Sequence, residues 1–194
     1  MRYSVAEIDE DFVNKVITEI KDRYKNFKTI LEYFDENAEI QFSSVTRYDP
    51  VRKRECNYEF PLAYDIYMLY YFLTGGINKE QEGYEINDSL KKIENLFFHN
   101  PLFSSIKYNI RQDSFQNTRL GFLYHLSNLK RRLLQKDTFT ARELAMMSNY
   151  TNQGMISKIH GPNPIEPKKE GGRYVLSNRT AREIVKESQS PILT

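Results

Sequence analysis

Two helix-start signals lie close together near the C-terminal end of the chain, in the stretch FTARELAMMSNYTNQGMISKI at residues 139–159. A threonine at a helix N-cap accepts a hydrogen bond from a backbone amide two or three residues later, and Thr140 and Thr151 each precede a run that suits a helix. Glu143 follows Thr140 by three residues, which completes a capping box. The stretch therefore predicts two short helices joined by a tight turn.

The apolar residues of this stretch give each predicted helix one inward face. In the first helix these residues are Ala141, Leu144, Ala145 and Met147, and in the second they are Met155, Ile156 and Ile159. The small side chain of Ala145 permits the two helices to cross closely. Asn149 is predicted to take a left-handed backbone conformation in the turn, since asparagine tolerates it well. The pattern is typical of a helix-turn-helix, whose second helix fits the major groove of DNA.

The residues that follow extend this pattern. HGPNPIEPKKE (160–170) predicts a loop and a strand, GGRYVLS (171–177) a turn and a second strand, and NRTAREIVKES (178–188) a closing helix. Together, residues 138–188 resemble the winged helix-turn-helix of the excisionase-like and MerR-type families. The resemblance implies a small DNA-binding domain with a β-hairpin wing.

Charge is distributed unevenly along the chain. Residues 1–127 hold 16 Lys and Arg against 20 Asp and Glu, a net charge of −4, whereas residues 128–194 hold 12 against 6, a net charge of +6. A polyanion would be drawn to the C-terminal part, because neutralising phosphates releases condensed counterions. Chance asymmetry is the alternative.

Polar and basic side chains of the C-terminal part are the candidate DNA contacts. Asn152 and Gln153 suit bidentate contacts to adenine edges, and Thr151 with the first helix amides suits a phosphate. We expect the remaining contacts to be to the backbone or, from the wing, an adjacent minor groove. They involve Arg142, Ser157, Lys158, Lys168, Lys169, Arg173 and Arg179. Gly154 either lets DNA approach closely or is simply tolerated, and the basic run Lys130–Arg132 is expected to add affinity.

The N-terminal part predicts a helical domain. Apolar periodicity predicts helices over residues 9–34, 62–73, 103–111 and 116–135, and a further helix capped by Asn87 or Asp88. Between the first two helices, the sequence predicts a loop with marginal strand content. Gly75 or Gly76 is available as a left-handed C-cap after residue 73. The predicted domains are residues 1–136, which would dimerise or bind a partner, and residues 137–194, which would bind DNA.

Several classes of protein are disfavoured. Cys56 is the single cysteine, the N-terminus lacks the apolar run of a signal peptide, and the apolar stretch at 61–73 is too short to span a bilayer. We therefore expect a cytoplasmic protein that does not associate with a membrane. His99, His125 and His160 form no metal-binding motif, and no nucleotide-binding or nucleophile-elbow motif occurs. We expect no cofactor, no metal and no enzyme activity.

These observations predict a mainly α protein in which a helical domain precedes a small winged helix-turn-helix. The predicted function is sequence-specific binding of double-stranded DNA by a homodimer, as a transcriptional regulator or a mobile-element accessory factor. The alternative is a non-enzymatic adaptor in a phage or plasmid assembly, whose winged helix contacts protein.

Overall fold

The computed structural model of the 194-residue chain describes residues 3–32, 35, 42–77, 84–97, 115, 117–135, 137–160, 167–170, 173–190 and 192, and within them it leaves out the side chains of residues 26–31, 84, 169, 170 and 173. The described chain is mainly helical, as predicted. It divides into two compact units. The N-terminal unit contains residues 9–71 and 77–109, and the C-terminal unit contains residues 1–8, 72–76 and 110–194.

Three helices and a hairpin make up the described elements of the N-terminal unit. They are α1 (Glu10–Glu32), β1 (Val45–Asp49), β2 (Arg54–Tyr58), α2 (Pro61–Leu73, of which the last two residues count with the other unit) and α3 (Tyr84–Phe97). The apolar stripe predicted for α1 is confirmed over Phe12, Val13, Val16, Ile17 and Ile20, which are all buried.

Two predicted helix ends have different outcomes. Gly75 follows α2 with a φ of 75°, which confirms a left-handed residue there. The cap predicted at Asn87 or Asp88 is wrong, because α3 begins at Tyr84 and both residues lie inside it. The helix predicted at 103–111 lies outside the described residues.

The region between α1 and α2, predicted as a loop with marginal strand content and a turn at Asp49-Pro50, contains strands β1 and β2 where the structure describes it. They pair as an antiparallel hairpin from Val45 opposite Tyr58 to Asp49 opposite Arg54. The loop assignment is therefore wrong here, whereas the turn after Asp49 is confirmed. Most side chains of both strands are exposed. Strands without a buried face carry no alternation of apolar and polar residues, so periodicity gives no sign of them.

A buried carboxylate fixes this hairpin. Asp49 Oδ1 accepts hydrogen bonds from the amides of Val51 (2.9 Å) and Arg52 (2.8 Å), and Oδ2 accepts from the hydroxyls of Tyr58 (2.8 Å) and Tyr71 (2.9 Å). Burial alone would raise the pKa of Asp49, but these four donors outweigh burial and hold the pKa below its ordinary value. The carboxylate therefore joins the hairpin turn to strand β2 and helix α2.

The described elements of the C-terminal unit are helices, strands and one 3-10 turn. They are a 3-10 turn (Val5–Glu7), α4 (Arg119–Leu134), β3 (Phe139–Thr140), α5 (Ala141–Met147), α6 (Asn152–Ile159), β4 (Lys168–Glu170), β5 (Arg173–Leu176) and α7 (Asn178–Glu187). The strands form an antiparallel sheet in the order β3-β5-β4. Helix α5 contacts α4, α6, α7 and the sheet, so it lies at the centre of the unit.

Local capping in this unit follows the prediction. Thr140 and Glu143 form the predicted capping box at α5, and Thr151 caps α6. Asn149 does not take the predicted left-handed backbone conformation, since Lys53 and Gln189 are the only described non-glycine residues with positive φ. Its side chain instead donates a hydrogen bond to the carbonyl of Ser188 at 2.9 Å. Asn149 thus ties the turn to the end of α7.

Helix α4 counts with the C-terminal unit, whereas the predicted domain boundary falls after it, between residues 136 and 137. Both Asn178 Nδ2 (2.8 Å) and Arg182 (3.0 Å) of α7 donate to the carbonyl of Leu133 at the end of α4. Near its start, a Cβ on Gly121 would lie 1.7 Å from the carbonyl oxygen of Phe115, so only glycine fits there.

In the part of the chain that is described, no helix has both the length and the hydrophobicity to cross a bilayer.

We predict that Asp49→Asn destabilises the N-terminal unit by about 2 kcal/mol, because the amide cannot accept four hydrogen bonds with a full negative charge. Urea unfolding followed by circular dichroism measures this change. The folded pKa is lowered, so the carboxylate stabilises the protein above its unfolded pKa, and the difference between wild type and variant should shrink as pH falls below about 4. Asp22→Asn is the matched control, since Asp22 is exposed. Equal stability of the two variants at pH 7 would contradict the assignment.

Candidate nucleic-acid interface

Helix α6 presents a polar surface at its first turn. Thr151 Oγ1 accepts a hydrogen bond from the amide of Gly154 at 3.0 Å and so starts the helix. The exposed residues that follow include Asn152, Gln153 and Ser157. Their side chains make no hydrogen bond with another described residue, so they can accept and donate hydrogen bonds to a ligand.

The inward face of α6 is narrower than predicted. Met155 and Ile159 are 0% and 4% exposed, as expected for core residues. Ile156 was predicted to point inward, but its side chain is 44% exposed, so that prediction is wrong. Met155 and Ile159, four residues apart, form the buried stripe of this helix. Ile156 therefore lies on the same exposed side as Asn152.

Gly154 has a local structural explanation. A Cβ at this position would lie 3.1 Å from Thr151 Oγ1, the atom that accepts the hydrogen bond from the Gly154 amide. An added Cβ would require Thr151 to shift by a few tenths of an ångström. This contact gives the glycine a role within the helix start, whether or not DNA approaches it.

Lys158 is engaged within the protein. Its ammonium donates to Glu187 at 2.6 Å and lies 5.4 Å from the centre of the Tyr150 ring. The hydrogen bond to Glu187 raises the pKa of Lys158. The expected contact of Lys158 with a DNA backbone would have to replace this ion pair, which links α6 to the end of α7.

Helix α5 and helix α7 each place a predicted arginine at the surface. Arg142 is exposed on α5. Arg179 is 89% exposed in its side chain and pairs with Glu183 at 3.2 Å, one helical turn further along α7. An exposed pair of this kind contributes little to stability, so the guanidinium can exchange partners readily.

Strands β4 and β5 correspond to the two strands of the predicted wing. Lys168 is exposed on β4, opposite Val175. The backbones of Lys169 and Arg173 belong to the strands, while their side chains are among those not described. Tyr174 is 62% exposed on β5, and the sequence analysis did not select it. Alternation next to the buried Val175 would have indicated that Tyr174 points outward.

Two cations of the basic run at the end of α4, Lys130 and Arg132, have partners within the unit. Lys130 is buried, with its ammonium 5.2 Å from the centre of the Phe72 ring and 3.4 Å from the carbonyl oxygen of Leu73. Arg132 binds Asp137 at 2.9 Å, the carbonyl of Thr138 at 2.7 Å, and Glu143. Both cations already have partners inside the unit, so a contact of either with DNA would have to replace these interactions, and the predicted contribution of this run to affinity stays a prediction.

A concave surface of about 460 Å³ lies at the start of α6. One side comes from residues 3–7, where Glu7 accepts a hydrogen bond from the Ser4 amide at 2.9 Å, and the other from residues 145–153. Tyr3 contacts Phe122, with ring centres 5.9 Å apart. Sequence reasoning could not find this surface, because its two sides are about 140 residues apart in the chain. Glu7 places a carboxylate at the same concave surface as Asn152 and Gln153, two of the predicted contact residues.

His125 is a half-buried base on α4. Its ring contacts Tyr124 and Phe115, with ring centres 5.2 and 6.1 Å away, and Nε2 is buried without a hydrogen-bond partner among the described residues. Burial, and then the positive charge of Arg142, lower the pKa of His125 to about 4. The histidine is therefore neutral at pH 7.

Among the described residues, no group of three or more His, Cys, Asp or Glu side chains could hold a metal ion. The chain matches no protein-family model, no curated protein and no solved structure with which it was compared. The resemblance of residues 138–188 to the excisionase-like and MerR-type families therefore stays a prediction from the residues themselves.

We predict that His125→Phe makes the free energy of unfolding depend less on pH in mild acid. The folded pKa lies below the unfolded value of about 6.5, so the unfolded state takes up the proton first. Wild-type stability should therefore fall between pH 6.5 and 4, by at most about 3 kcal/mol from this group. Phenylalanine keeps the ring contacts and removes the titration.

Urea unfolding at several pH values measures both curves. Exposed His160, changed to Gln, is the matched control and should keep the wild-type pH dependence. Parallel curves for wild type and His125→Phe would show that His125 is not the responsible group.

Proposed function

We propose that the chain is a sequence-specific DNA-binding protein whose α5–turn–α6 segment is a helix-turn-helix. The observation that carries the proposal is the outward face of α6, where Asn152 and Gln153 are exposed in the first turn without hydrogen bonds to other described residues. The first turn of a recognition helix is the part that contacts base edges. Amide side chains at that position suit the paired donor and acceptor of adenine.

The order of the following elements supports the same proposal. An antiparallel pair, β4 and β5, follows α6, and α7 then closes the unit against α5. In a winged helix-turn-helix, this pair would be the wing, and its exposed Lys168 would contact a phosphate. Arg142 and Arg179 would contact the backbone from α5 and α7.

The charge balance favours modest affinity for each copy of the chain. Lys158 is held by Glu187, and Glu7 lines the concave surface at the start of α6. Few free cations near α6 mean few released counterions, so a single copy would bind duplex DNA weakly. We therefore include homodimerisation through the N-terminal unit in the proposal, since two half-sites add their binding energies. Transcriptional regulation and an accessory role in a mobile element both fit such a protein.

Protein recognition is the second candidate, and exposed Ile156 and Tyr174 are the observations that favour it. In this case the protein is a non-enzymatic adaptor, and α6 and β5 face another protein. Exposed apolar side chains are enriched where proteins associate. The two candidates differ in how binding responds to salt.

We predict that the full-length protein binds random duplex DNA at about 50 mM salt and that the affinity falls steeply as salt rises. Counterion release makes the logarithm of affinity linear in the logarithm of salt concentration, with a slope of about −0.9 per phosphate contacted. Fluorescence anisotropy with a labelled duplex measures this slope. Absence of binding at about 50 mM salt would rule out the DNA-binding proposal and favour the adaptor.

We predict different effects for Gln153→Ala and Lys168→Ala. The first should change base preference at particular positions, with a cost of about 1–3 kcal/mol on the preferred site. The second should weaken binding to all duplexes alike and reduce the salt slope by about 1. Selection from a random DNA pool, followed by anisotropy on the selected site, measures both.

Matched controls are available at exposed positions elsewhere in the chain. Gln135→Ala in the C-terminal unit and Lys91→Ala in the N-terminal unit should leave affinity and preference unchanged. If Gln153→Ala and Lys168→Ala both weaken all sequences equally, α6 does not read bases.

A further inference from the structure

Ile156 is an exposed apolar side chain in the middle of an otherwise polar helix face. It lies four residues after Asn152 and three after Gln153, so the three side chains are neighbours on one side of α6. All three are exposed, with Ile156 at 44%, while Met155 and Ile159 hold the helix to its unit. Ile156 is therefore not needed as a core residue, and its exposed area is available to a ligand.

The chemistry of this face selects one kind of base pair. Guanine is normally read by Arg or Lys, and no described residue on the exposed face made by residues 152, 153, 156 and 157 is a cation. Adenine is read by Asn or Gln, and its partner thymine carries a 5-methyl group in the major groove. That methyl group is the only apolar feature of a base edge there. An amide pair next to an exposed isoleucine thus matches A·T pairs and mismatches G·C pairs.

We propose that Ile156 contacts a thymine 5-methyl group and that the base pairs facing α6 are therefore A·T-rich. The inference rests on the proposed function and deepens it, because it names the class of DNA that this surface would choose. Asn152 and Gln153 supply hydrogen bonds to adenine, and Ile156 supplies an apolar contact to thymine. Selection between A·T and T·A then follows from which strand carries the methyl group.

Replacement of thymine by uracil tests this contact, since uracil pairs identically and lacks only the methyl group. The duplex is the best site selected from a random pool by the full-length wild-type protein, with each thymine replaced in turn. Removing one buried methyl group should weaken wild-type binding about fourfold at the contacted position. The Ile156→Ala variant should bind the thymine duplex weakly and lose nothing further on replacement.

Two further variants serve as controls in the same experiment. Ile156→Val retains a branched side chain and should keep most of the sensitivity to uracil. Leu134→Ala removes a comparably exposed apolar side chain at the end of α4 and should respond to uracil as the wild type does. Circular dichroism checks that each variant is folded, and truncation of a side chain that is 44% exposed leaves the core intact.

The outcomes separate this inference from the function on which it rests. If the wild type binds no duplex, both fail. If it binds a selected site and uracil costs the same in wild type and Ile156→Ala, or costs nothing, DNA binding stands and the methyl contact is overturned. If Ile156→Ala leaves affinity for every duplex unchanged, the methyl contact is likewise overturned.

Discussion

The Arg132–Glu143 ion pair joins the end of α4 to the start of α5, the helix at the centre of the C-terminal unit. Glu143 accepts the amide and hydroxyl of Thr140 through one carboxylate oxygen, at 2.7 and 2.9 Å, and binds Arg132 through the other. One side chain therefore starts α5 and connects it to the last turn of α4. Arg132 also lies 5.0 Å from the centre of the Phe139 ring, next to β3. Loss of either partner would loosen the helix start, the strand and the preceding helix together.

Several cations of the C-terminal part interact with groups inside the unit, as Arg132 does. The sequence places an excess of cations after residue 127, but Lys130, Arg132 and Lys158 are all bound to groups within the unit. The net charge therefore overestimates the positive charge that a bound polyanion would contact. The cations of this part that the structure describes as exposed lie on α5, β4 and α7 rather than on α6; they are Arg142, Lys168, Arg179, Arg182 and Lys186. Any recognition by α6 must depend on neutral side chains.

Sequence reasoning succeeded where the deciding contact is local. The caps at Thr140 and Thr151 depend on amides three residues away, and the left-handed residue at Gly75 depends on its own backbone. It failed where the deciding contact is distant. Asn149 binds a carbonyl 39 residues away, and Lys158 binds a carboxylate 29 residues away, so neither role has a local signal.

The β1–β2 hairpin and Ile156 show two other reasons for failure. The hairpin is held by backbone pairing and by Asp49, with few buried side chains, so its strands lack an apolar pattern. Ile156 follows the buried Met155. It was predicted to point inward because isoleucine is apolar, but it lies on the exposed side of a short helix.

If α6 is the recognition helix that we propose, discrimination between DNA sequences would come from its neutral side chains. Lys and Arg on such a helix add affinity for every duplex, because phosphates are the same at every sequence. Amide and apolar side chains add affinity only where the base edges match them. In the proposed function, a surface built from Asn152, Gln153 and Ile156 would therefore give a high ratio of specific to non-specific binding at a low absolute affinity. That combination suits a protein that binds paired half-sites, since joining two copies restores affinity without lowering the ratio.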